Sequence, residues 1–500
     1  MPLPTIIQGG MGVAISNWRL ARTVSELGHL GVVSGTGISR VMICRLGDGD
    51  LDGQVRYALS HFPDQAAVTE ILDRYFVHGG KRPDQPYKNS PVYTVTPTKR
   101  LDMLTVIANF VEVFLAKDGH HGLVGVNLLE KVQLPNLASL YGAMLAGVDV
   151  VLMGAGIPIQ IPLVLDKLVK HEPVSYRLDV QGADPDDDIR IHFDPERIFP
   201  GLALEVGLLK RPQFLPIISS FVLAQALLKR SEGTIEGFVI EGAIAGGHNA
   251  PPRGPLVLNE LGEPVYGEKD VVDLEKMKQL GLPFWLAGGY GNHDQLQKAL
   301  DAGAAGIQVG TAFAFCEESG MAPMLKHSVL SRILNADGAD PVRVFTSPVA
   351  SPTGFPFKVV LQQGTLSELS VYEQRSRICD LSFLRTIYKR PDGEIGYRCP
   401  AEPIKDYVRK GGTVEDTVGT TCLCNNLAAT AGFGQSRILD NGSMYVEPPI
   451  ITSGDDLPKV GQHVRVGKTS YTAQDVIECL QNSKLEEVSG TVNTQLPEPG

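Results

Sequence analysis

The chain has 500 residues, 43% hydrophobic and 20% charged, a globular composition that suggests one α/β domain of roughly 250–330 residues plus a second part. A net charge of −11 argues against nucleic acid as a main partner, because phosphate binding needs a basic surface. Seven cysteines without a paired framework, an N-terminus (MPLPTIIQGG) with no basic or long apolar stretch, and no run of about 18 apolar residues make a cytoplasmic protein with no membrane partner the expectation.

Eight short apolar runs follow in chain order: TIIQ (5–8), LGVVSG (30–35), GLVGVNLL (122–129), VDVVLMG (148–154), FLPIIS (214–219), GFVIEG (237–242), PFWLAGG (283–289) and GIQVGT (306–311). They are continuous Val/Ile/Leu runs, as parallel strands buried on both faces should be. Helical patterns near 17–27, 135–146, 220–230, 270–280 and 292–302 lie between and beside them. Eight β-α units over residues 1–330 predict an α/β fold, a (β/α)8 barrel of the TIM type. An open doubly wound sheet is the alternative. It lacks its Gly-x-Gly-x-x-Gly signature, since QGGMG and SGTG are misspaced. Insertions are expected at 38–120, with extra helices and the polar stretch GGKRPDQPYKNSP, and at 171–200, with a short hairpin. Residues 331–500 read as a C-terminal irregular and helical region packed on the barrel, ending in a frayed NTQLPEPG.

Barrel chemistry sits where strands end. The ends are Gln8, Ser34, Asn127, Gly154, Ser219, Glu241, Gly288 and Gly310. No lysine is among them, which disfavours a Schiff-base aldolase, and no His/Asp/Glu set has metal-ligand spacing. Amides, hydroxyls and glycines over an apolar floor suit a flat organic cofactor that carries the reactivity. AGGYGN (287–292) and VGTAF (309–313) follow the seventh and eighth runs, where a barrel binds phosphate on backbone N–H groups and helix N-termini.

His248 lies in EGAIAGGHNAPPRG (241–254), seven residues past a strand end. The Gly246–Gly247 pair lets its loop fold back over a flat ring, and an imidazole of pKa about 6.5 suits proton transfer. Arg253 reads either as an anchor for an anionic group or as an ordinary exposed loop arginine. His120 and His121 precede the third strand, at the stabilising end of the barrel. DPDDD (184–188) reads as a solvated turn, and Cys44 and Cys316 as ordinary thiols. Cys379, Cys399, Cys422 and Cys424, spaced C-x19-C-x22-C-x-C, leave zinc, an iron–sulfur cluster or no metal open; the spacing matches no standard ligand rule.

The ordered set IIQGGMG, GVN, EGAIAGGH, LAGGYG and GIQVGTAF resembles the nitronate monooxygenase family, formerly called 2-nitropropane dioxygenases, over roughly residues 1–320. The same superfamily of flavin barrels includes enoyl-acyl carrier protein reductases, among them free-standing ones that serve polyketide and polyunsaturated fatty acid synthases. The resemblance implies FMN, with NAD(P)H as reductant in the reductase case. It implies that the backbone at Gly10 and Met11 lies along the ring and that Asn127 bonds the pyrimidine. Glu241 would stand near the ribityl chain or ring edge, with Gly246 and Gly247 beside it. Gly288, Gly289, Gly310 and Thr311 would hold the phosphate, and His248 would be catalytic. The implied substrate is a small molecule or an acyl thioester, and the implied assembly a homodimer or a synthase complex.

The chain departs from the family at three places. Ile244 stands where many members have an acid, GGHNAPPRG where they have GGHRG, and Ser219–Ser220 where some have a lysine. Three readings stay open: nitronate oxidation with O2, enoyl-thioester reduction, and a flavin-binding partner without turnover.

Overall fold

The structure, a computed structural model, describes residues 3–335 and 341–482; the NTQLPEPG end lies outside the described residues. Eight parallel strands make the barrel: β1 (Ile6–Gln8), β2 (Gly31–Ser34), β3 (Val124–Leu129), β4 (Val150–Gly154), β5 (Gln213–Ile218), β6 (Phe238–Glu241), β7 (Phe284–Ala287) and β8 (Gly306–Val309). Their spatial order is β1-β8-β7-β6-β5-β4-β3-β2. The ring closes between β1 and the start of β2. Leu30 N donates to Ile6 O at 3.2 Å, and Gln8 N donates to Leu30 O at 2.9 Å.

Side chains alternate across each strand. Ile7, Val32, Val150, Leu152, Leu215, Val239 and Trp285 fill the barrel interior. Their neighbours Val151, Met153 and Phe214 turn outward under the helices. The period of two therefore decides what reaches the open end of the barrel. Asn127, Gly154, Ile217, Glu241, Ala287 and Gln308 line a cavity there.

One sequence expectation needs correcting. Residues 38–120 are not all insertion. Only the helices Ile38–Gly47, Gln54–Ser60 and Gln65–Tyr75 are additional, because Lys99–Lys117 is the buried covering helix of the second β-α unit, against Asn136–Leu145. Its apolar positions run all round, so it carries no one-sided pattern to mark it as part of the barrel. The expected hairpin forms from Val174–Arg177 and Arg190–Phe193, and its DPDDD turn is largely exposed. Asp184 and Asp187 both accept from Lys389 Nζ at 2.8 Å, across to the hairpin of Thr386–Lys389 and Ile395–Arg398.

Beyond the helix Pro323–Leu334 the chain forms short hairpins, a buried helix Leu423–Thr430 and a last helix Ala473–Gln481. Val360, Ile451, Leu457, Tyr471, Ile477 and Leu480 belong to the same hydrophobic core as the barrel helices. Among the described residues no helix is long and apolar enough to cross a membrane.

Candidate active site

The cavity at the C-terminal ends of the strands gathers the cofactor-binding residues expected from the sequence: Gly10, Met11, Asn127, Glu241, Gly246, Gly247, Gly288, Gly289, Gly310 and Thr311, with His248 on its wall. The local backbone explains the glycines. A Cβ at Gly10 would lie 2.3 Å from Asn127 Cβ. Gly288 and Gly289 have φ of +92° and +85°, the left-handed region in which only glycine is unstrained.

The polar groups left over are those a flat heterocycle with a phosphate tail would use. Asn127 Oδ1 and Gln308 Oε1 are buried without a hydrogen-bond partner, as are Ser453 Oγ and Asp456 Oδ1. Buried polar atoms are normally paired, so two amide oxygens on the barrel floor and a hydroxyl beside the glycine loops are left to pair with an occupant of the cavity. Burial pushes the Asp456 carboxyl above its ordinary range.

The segment 452–456 was not expected in the site. Gly247 N donates to Thr452 Oγ1 at 2.9 Å, Asp455 N to Ile244 O at 3.0 Å and Gly454 N to Thr311 Oγ1 at 3.1 Å. The buried Lys358 holds this segment in place, with Nζ donating to both Asp455 oxygens at 2.8 and 2.7 Å. Lys358 N donates to Gly247 O and Asn249 N to Pro356 O, each at 2.9 Å. The loop carrying His248 is therefore clamped by the C-terminal region on both sides.

His248 Nε2 hydrogen-bonds Ser351 Oγ at 2.7 Å, and its ring stands edge-on to Phe357, with centroids 4.8 Å apart. Burial, and after it the nearby Lys131 ammonium, holds the imidazole well below its usual range, so it is neutral at pH 7. Burial pushes Glu241 up to about 7 against the pull of Lys131. It brings Lys131 down to about 7 against the pull of Glu241.

A second lobe adjoins the first. Ala155, Ile217, Glu241 and His248 line both. Its further walls include Ile157, Ile218, Leu223 and Phe355, and its mouth has Tyr266, Asp270 and Arg253. One Arg253 guanidinium N–H donates to Ser219 O at 2.9 Å, which fixes the arginine over the end of β5.

Other singled-out residues lie elsewhere. His120 Nε2 meets Ala116 O at 2.6 Å and its Nδ1 accepts from Gly122 N, outside both lobes. Cys44 and Cys316 are buried. Burial, and after it the neighbouring Cys422, pushes up the Cys379 and Cys399 thiols, and a hydrogen bond with Cys424 and burial push up the Cys422 thiol. Among the described residues, however, no group of three or more His, Cys, Asp or Glu could hold a metal ion. The cysteine metal candidates are corrected accordingly; Cys424 instead lines the first lobe.

Sequence reading missed Gln308, Lys131, Ser351, Thr353, Ser453 and Asp456. Strand alternation within GIQVG would have found Gln308. The rest sit on loops without a local pattern.

Residues 210–345 match the family model described as nitronate monooxygenase. A probable nitronate monooxygenase of Bacillus subtilis is 35% identical over 116 residues, 23% of this chain and 30% of that protein. A (3aS,4S,5R,7aS)-5-hydroxy-7a-methyl-1-oxo-octahydro-1H-indene-4-carboxyl-CoA dehydrogenase of Rhodococcus jostii is 29% identical over 116 residues, 23% of this chain and 29% of that protein. The chain thus spans under a third of the length of these curated relatives. The structure of a nitroalkane oxidase from Streptomyces ansochromogenes aligns over 98% of both chains at 16% identity, with a TM-score of 0.43. The nitronate monooxygenase signature lies on residues 210–345, which hold β5 to β8, both glycine loops and His248.

Proposed function

We propose that this protein is an FMN-dependent oxidoreductase acting on nitronates or nitroalkanes, in which His248 moves the proton at the substrate α-carbon. The observation that carries the reading is the position of one neutral imidazole where a glycine-lined lobe meets an apolar one. FMN would supply the electron chemistry that no side chain here offers. Asn127 and Gln308 would accept hydrogen bonds from the ring N–H groups. The backbone at Gly288, Gly289 and Gly310, with the hydroxyls of Thr311 and Ser453, would hold the phosphate. A neutral histidine can accept the α-proton directly, and the hydrophobic Ile217 and Phe357 keep water from competing.

A second reading, reduction of an enoyl thioester with NAD(P)H as electron donor, is favoured by two observations. The apolar second lobe runs past His248 toward Tyr266 and Arg253, further than a short nitroalkane needs, and the Rhodococcus jostii relative is named for a carboxyl-CoA substrate. There the same imidazole would protonate the α-carbon. In a third reading the chain binds flavin as a partner in a biosynthetic complex.

Anaerobic mixing of the FMN-loaded protein separates the three. Bleaching by a nitronate with no response to NADPH supports the first. Bleaching by NADPH and recolouring by an enoyl thioester replaces it with the second. No response to any of them leaves the third.

A further inference from the structure

A histidine that is neutral at pH 7 can take a proton but has no ready place to keep it. Its Nε2 contacts Ser351 Oγ at 2.7 Å. Ser351 Oγ and Thr353 Oγ1 share a hydrogen bond of 2.8 Å, and Lys131 Nζ donates to Thr353 Oγ1 at 3.4 Å. Thr353 N also donates to Ser351 Oγ at 3.2 Å, which fixes the two hydroxyls relative to each other. Lys131 lies just past β3 with its ammonium 4.3 Å from the centre of the Phe355 ring. The charged and titratable groups facing it are Glu241 at the end of β6 and His248 on the following loop. Its chain neighbour Glu130 is turned away, accepting from Tyr176 and Gln133.

We propose that Lys131 is the proton reservoir of this site, joined to His248 by the hydroxyls of Ser351 and Thr353. The inference rests on His248 as the proton carrier. In the oxidative direction the α-carbon–hydrogen bond breaks and the proton goes to His248 Nδ1, a nitrogen with no hydrogen bond to the described residues. The Nε2 proton passes to Ser351 Oγ, the Ser351 proton to Thr353 Oγ1, and the Thr353 proton to the neutral Lys131 amine. The electron pair stays on the substrate as the nitronate. Run in reverse, the ammonium supplies the proton that an enolate takes up. Burial brings Lys131 into the range where both forms are present at neutral pH. A surface lysine would stay protonated and could not serve.

Three measurements test this. In FMN-free protein, NMR titration of the His248 imidazole should show its pKa rise in Lys131→Met, where the repelling charge is gone, and stay near the wild-type value in Thr353→Val. In FMN-loaded protein, Lys131→Met and Thr353→Val should each slow turnover of a neutral nitroalkane about tenfold or more, part of the ~10²–10⁴ that acid–base catalysis contributes. The double variant should be no slower than Lys131→Met, and the ionisation near neutral pH should leave the pH profile. Added ethylamine should partly restore Lys131→Met and do nothing for Thr353→Val. Wild-type kcat and pH profile in Thr353→Val, with His248→Ala inactive, would overturn the relay while leaving His248 in its role. An active His248→Ala would instead overturn the reading beneath it, and the relay with it.

Discussion

At the scale of single residues the site is a set of groups pushed off their usual charge states by burial. Glu241 is the clearest. Its folded carboxyl titrates near 7 against an ordinary 4.5. Between those values the folded chain holds a proton that the unfolded chain has released. Glu241 therefore adds stability below pH 4.5 that is lost as pH rises through 7. Glu241→Gln should match the wild-type melting temperature at pH 4 and exceed it at pH 8, measured by calorimetry across that range. An equal shift at both ends would place the effect in packing and not in charge. Position and motif together made Glu241 and His248 legible in the sequence, since each stands at or just past a strand end within EGAIAGGH. Lys131 was not legible. It follows Leu129 by two residues, where nothing in LLEKVQ distinguishes a cavity lysine from a surface one.

At the scale of elements the strands and their glycine loops follow from local rules, and the clamp on the His248 loop does not. Parallel strands buried on both faces announce themselves as apolar runs; Gly288 and Gly289 are needed because their backbone is left-handed. Gly288→Asp should abolish FMN binding, read as loss of the yellow colour after reconstitution. A Cβ there meets Ala245 N at 3.0 Å, and the new carboxylate would stand where the phosphate must. The clamp depends on contacts between residues 100 or more apart in sequence, such as Lys358 with Gly247 and Ser351 with His248, which periodicity cannot report. Lys358→Met breaks an ion pair in which the lysine is buried and the other half, Asp455, is 46% exposed and can be rehydrated. The cost should be about 1.5–3 kcal/mol in urea unfolding, the range for hydrogen bonds to charged groups. No change in the midpoint would show that the segment 452–456 is held by other contacts.

At the scale of the whole molecule the barrel and the chain beyond it share one core, from Ile6 to Leu480. A cofactor seated between them should stabilise both together. FMN at about 100 times its Kd should add about 2.7 kcal/mol, seen as a single thermal transition moved upward; a transition unmoved by FMN would mean that flavin does not bind the folded form. The overall barrel was readable because eight runs in order leave few topologies. The part played by residues 344–456 in the site was not, because those segments are short hairpins and turns with no repeating pattern. The chemistry of the site centres on His248, and one comparison bears on it directly. His248→Ala, reconstituted with FMN, should stay yellow and turn over a neutral carbon acid roughly 10²–10⁴ times more slowly than the wild type, with a smaller loss on a ready-made nitronate whose proton is already gone. A variant that turns over the neutral substrate at the wild-type rate would make His248 a structural histidine and contradict the account.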